Sequence, residues 1–71
     1  MKKIEVLIET VPFEIQYEIT NDIDGWFDLE VWYKGKSIQE RVPSYSADRE
    51  KDVKEPHAPV LLQSLITQLE K

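Results

Sequence analysis

A chain of 71 residues carrying fourteen Asp and Glu against nine Lys and Arg has a formal charge of −5 and a pI near 4.7. That length holds a single domain, 1–71, and that charge argues against direct binding to a nucleic-acid backbone, which calls for a basic stripe. Cysteine is absent, which excludes disulfides, zinc–thiolate centres and thiol catalysis together.

Met1, Lys2 and Lys3 precede an apolar run that Glu5 and Glu9 interrupt. No signal-peptide core and no membrane span is expected, and the cytoplasm is the expected compartment. Strand one should run from about Lys3 to Glu9 or Thr10, with Ile4, Val6 and Ile8 on one side and Glu5 and Leu7 on the other. Pro12 cannot donate to a ladder, so Thr10, Val11 and Pro12 are assigned to the hairpin connection and Phe13 to Thr20 to strand two. With Val11 and Pro12 as the two loop residues, Glu9 would face Glu14 and Glu5 would face Glu18. Shifting the pairing by two residues sets Lys3 opposite Glu18 and Glu5 opposite Gln16 and relieves most of that repulsion. Sequence leaves both registers open.

Asn21, Asp22, Asp24 and Gly25 form a polar break before a third alternating segment, Trp26 or Phe27 to Tyr33. Lys34-Gly35 reads as a tight turn, with Gly35 at the positive-φ position, and leads to a fourth strand, Ser37 to Val42. Glu40 falls between Ile38 and Val42 where an apolar residue would be expected, a pattern that suits an edge strand. Residues 43–56 hold one aromatic, one valine, two prolines and seven charges. They are expected to form a mobile loop or a short helical turn, capped by Ser46 over Ala47 to Asp52 and tethered by Tyr45 and Val53. Beyond Pro56 and Pro59, the residues Ala58, Leu61, Leu62, Leu65, Ile66 and Leu69 recur at three and four positions. This spacing predicts an amphipathic helix of about twelve residues.

A helix with one greasy stripe and a sheet with one greasy face bury each other most economically in two layers. The expected fold is α+β: a four-stranded antiparallel β-meander with one C-terminal helix packed on the apolar face, and Phe27, Leu61 and Leu65 in its core.

The opposite face of that sheet should carry Glu5, Leu7, Glu14, Glu18, Asp28, Glu30 and Trp32. A tryptophan in a field of carboxylates is the kind of anchor interfaces use, since it supplies large area at small rotamer cost. The reading is a small acidic protein-binding module that binds or inhibits another protein through a basic surface. Two alternatives belong to other classes. One is a self-associating structural protein, a homodimer using Trp26, Trp32, Tyr45 or the uncovered side of the helix, because a domain this short buries only about 60% of its unfolded surface. The other is single-stranded nucleic-acid binding through exposed aromatics, which lacks the basic rim that stacking platforms carry.

Enzyme chemistry is not expected. Asp22, Asp24 and Asp28 follow calcium-loop spacing at the start, but the closing glutamate position falls on Tyr33. His57, the sole histidine, has proline and alanine as neighbours, Ser44 and Ser46 have no base arranged for them, and a flat sheet face gives paired carboxylates no dry cleft. No catalytic, metal or cofactor site is assigned.

Overall fold

The computed structural model describes residues 1–70. Its elements are β1 (Lys2–Ile8), β2 (Val11–Ile23), β3 (Trp26–Tyr33), β4 (Lys36–Pro43), a short α1 (Arg49–Asp52) and α2 (Ala58–Leu69). The four strands form one antiparallel sheet in the order β1-β2-β3-β4, and α2 packs against it: a ββββα fold of the α+β class. No helix is long and apolar enough to cross a membrane among the described residues.

The first hairpin differs from both registers considered above. Ile8 faces Val11, Val6 faces Phe13, Ile4 faces Ile15 and Glu5 faces Glu14. The loop is Glu9-Thr10, both at positive φ (50° and 68°), which matches the twist of a two-residue hairpin turn. Pro12 therefore lies inside β2, opposite Leu7. Its ring costs nothing there: counting from the hydrogen-bonded Ile8–Val11 closing pair, the Pro12 nitrogen points away from β1, and β3 ends at Tyr33 before reaching it. Apolar registry won over charge, since Ile4–Ile15 and Val6–Phe13 meet on the core side at the cost of two glutamates side by side.

β2 also runs three residues further than its alternation suggests, to Ile23. Thr20 faces Asp28 and Ile23 faces Trp26, so Asn21 and Asp22 together oppose Phe27 in a bulge, with Asn21 at φ 49°. Asn tolerates this left-handed backbone better than most residues. The third hairpin turns on Lys34-Gly35, both at positive φ, and closes with Tyr33 opposite Lys36. β1 pairs with the first half of β2 and β3 with the second half, so the sheet is staggered about its longest strand.

Inward positions of the sheet meet the apolar stripe of α2. Ile4, Val6, Ile15, Tyr17, Phe27, Leu29, Val31 and Val42 are buried with Val53, Ala58, Leu61, Leu62 and Leu65. Burying each of the three leucines of α2 contributes about 1.5–3 kcal/mol. Burial pushes the Tyr17 hydroxyl above its usual range, with the Glu50 and Asp48 carboxylates adding to the effect. Glu40 stays exposed on β4, an edge strand.

Between β4 and α2 the chain is held by more than Tyr45 and Val53. Asp48, rather than Ser46, caps α1: its Oδ1 accepts the amides of Glu50 at 3.1 Å and Lys51 at 3.3 Å. Ser46 turns the other way and, with Tyr45, donates to buried Asp52. The Asp52 carboxylate accepts the Tyr45 amide at 3.0 Å, the Ser46 amide at 3.2 Å and the Ser46 hydroxyl at 3.1 Å. Residues Val53–His57 form a kinked connector in which Glu55 is extended, and Val53 is fully buried. His57 is buried against Phe27 edge-on and under the Tyr45 ring, and its Nε2 donates to the Pro43 carbonyl at 2.7 Å.

Candidate protein-binding face

Alternation along the strands and their register arrange the face away from α2 in rows. At one end Leu7 stands opposite Pro12, then Glu5 opposite Glu14. The next row reads Lys3, Gln16, Trp32, Ser37, followed by Glu18, Glu30, Gln39 and then Thr20, Asp28, Arg41. Ile23, Trp26 and Pro43 close the far end. The seven residues assigned to this face from sequence all lie on it, but they do not form one uniform patch.

Two like-charge pairs define its character. Residues directly opposite have β-carbons about 4.5–5.5 Å apart, and like charges there disfavour the sheet. Glu5–Glu14 and Glu18–Glu30 are both of this kind. Among the described residues no lysine or arginine lies within ion-pair distance of any of the four. Glu5, Glu14 and Glu18 are exposed and Glu30 is half-buried.

Asp28 is different. It is only 8% exposed, accepting from Asn21 Nδ2 at 2.8 Å and from Arg41 Nε at 3.1 Å. These two hydrogen bonds, Asn21's first, hold its carboxyl below the usual carboxylate range against the opposing pull of burial. Asp28 thus ties the bulge to β4, and its charge is already answered within the fold. Trp32 is half-buried between Gln16 and Ser37, above a shallow open depression bordered by Lys3, Lys34 and Gly35. Leu7, 59% exposed, sits apart from it; Leu7 and Val60 border a depression with Pro56 and Pro59 beside the sheet edge.

Comparison with protein-family models, curated proteins and solved structures returns no match. Chemistry and geometry carry the functional reading.

Sequence reading missed the apolar row at the far end. Ile23 is 55% exposed and Trp26 48%, side by side on the acidic face. The bulge puts Ile23 there: every other odd-numbered residue of β2 from Phe13 to Ile19 faces α2, and the extra residue at Asn21 reverses the alternation. Asp24-Gly25 between Ile23 and Trp26 is the signal that could have found it, because a two-residue turn forces its flanking residues to face one another.

The calcium-like aspartates are dispersed: Asp28 is engaged by Asn21 and Arg41, and Asp22 accepts from Arg49 Nε at 3.0 Å. No group of three or more His, Asp or Glu side chains converges on a metal-sized space among the described residues. Ser44 donates to the Ser46 carbonyl and Ser46 to Asp52, while His57 is spent on Pro43.

Proposed function

We propose that this chain is a small acidic protein-binding module that engages a basic surface of another protein and acts by occupancy rather than turnover. The observation that supports it most is the pair of uncompensated glutamate couples, Glu5–Glu14 and Glu18–Glu30, on the exposed side of a two-layer domain. Each couple costs the isolated sheet a few tenths of a kcal/mol that a lysine or arginine from a partner would recover. Trp32 between the couples, and Ile23 with Trp26 beside them, supply the apolar area that converts charge steering into a held complex. Such a surface suits a basic groove, including one that otherwise receives phosphates, so inhibition of the partner is the expected consequence of binding. Cytoplasmic residence is part of the proposal, supported by a cysteine-free sequence that needs no oxidising compartment.

The test is capture of host proteins on the immobilised wild type and on the triple variant Glu14→Lys, Glu18→Lys, Glu30→Lys. A basic protein retained by the first and lost from the second is expected, with retention weakening as salt rises. Undiminished capture by the triple variant would move the contact off this face.

A further inference from the structure

β1 is the open margin of the sheet. Because Ile8 and Val11 close the first hairpin as a hydrogen-bonded pair, Ile4, Val6 and Ile8 turn their main-chain N–H and C=O groups toward β2. Lys3, Glu5 and Leu7 turn theirs outward. No backbone group elsewhere among the described residues bonds to these three, and their side chains are exposed. An edge of this kind accepts another strand.

We propose that the β1 edge pairs antiparallel with the β1 edge of a second copy of this chain, about a two-fold axis beside Ile4, with Lys3 of each copy opposite Glu5 of the other. Outward-facing groups must meet outward-facing groups, so neighbouring registers differ by whole steps of the ladder. A step one way stacks Glu5 on Glu5 of the second copy; a step the other way stacks Lys3 on Lys3. Only the register between them forms two opposite-charge pairs. It also sets Met1, 74% exposed, against Leu7 of the second copy at both ends.

A second observation points the same way. In one copy the Glu5–Glu14 couple lies on the open edge with no lysine or arginine within ion-pair distance among the described residues. In this register the row continues as Glu14, Glu5, then Lys3 of the second copy, which places a cation where the single sheet leaves like charges unanswered. The β4 edge lacks this complementarity: its outward residues are Ser37, Gln39 and Arg41, and Arg41 is held by Asp28. The axis stands normal to the sheet, so both acidic faces look the same way. If the face binds as proposed above, the dimer presents two copies of it to one partner or to a repeated basic surface. Dimerisation itself does not depend on that reading.

Sedimentation equilibrium of the isolated chain, across about a hundredfold dilution, tests the pairing without any partner present. Wild type is expected to pass from dimer to monomer on dilution. Lys3→Glu and Glu5→Lys should each weaken the dimer about tenfold or more, and the double variant with both charges exchanged should restore it. Amide exchange on the unaltered chain adds a readout that no substitution can disturb: protection of Lys3, Glu5 and Leu7 should rise with concentration. A wild type that stays monomeric throughout, a dimer that survives both single reversals, a double variant that fails to recover, or growth beyond the dimer would each overturn the proposal.

Discussion

Ile23 faces Trp26 across the second hairpin, on the acidic side of the sheet and not on the side that the rest of β2 buries. The bulge at Asn21 and Asp22 causes this, and Asn21 both adopts its left-handed backbone and donates to Asp28. Asn21→Gly keeps the backbone and loses the donor, while Asn21→Val loses both. The valine variant should be less stable than the glycine variant by about 1–2 kcal/mol in urea unfolding. Equal stabilities would mean that the left-handed residue carries no strain.

Asp52 gathers three donors from Tyr45 and Ser46 and so holds the segment after β4 in place. Asp52→Ala leaves two backbone N–H groups without an acceptor. Destabilisation of about 1–3 kcal/mol is expected, with faster amide exchange concentrated at Tyr45 and Ser46 and little change in β2.

Two aspartates set the acid limb of the stability curve. Asp28 is lowered by hydrogen bonds from Asn21 and Arg41. Asp52 is lowered because the Ser46 and Tyr45 bonds outweigh a burial that alone would raise it. A carboxyl depressed in the fold stabilises above its unfolded value, near 3.8 here, and loses that contribution as pH falls through its lower folded value. The melting temperature should therefore drop as pH falls below about 4, and less steeply in Asp28→Asn, whose side chain does not titrate. Tyr17 acts at the other end: its raised hydroxyl contributes below about pH 10 and the contribution is lost as pH climbs through the folded value.

Leu65 has no exposed surface and lies where α2 meets the sheet. Leu65→Ala should cost about 2–5 kcal/mol, a large share of the stability of so small a domain. Chemical denaturation with an unchanged m-value is the expected signature.

Much of the architecture was legible in sequence because alternation is a local property. Ile4 to Ile8, Phe13 to Ile19 and Phe27 to Tyr33 each sort into two faces whatever they pair with, and the leucines from Leu61 to Leu69 form a stripe on any helix. The seven residues expected on the acidic side follow from the same parity. The first-hairpin register was not legible, since strand pairing depends on which apolar neighbours meet across the ladder and Pro12 gives a misleading stop. The hold on residues 43–56 was hidden for a related reason: few apolar groups are needed where a buried carboxylate collects donors from backbone six and seven residues away.

Sequence by itself determined the two layers, the four strands, the helix and the sign of the exposed face, all set by residue-scale periodicity and charge. Tertiary structure alone decided which charges remain free. Pairing placed Arg41 on Asp28 and Arg49 on Asp22 while leaving Glu5 beside Glu14 and Glu18 beside Glu30, because cross-strand neighbours are chosen by hydrogen-bond registry and core packing, whose energies exceed those of exposed ion pairs.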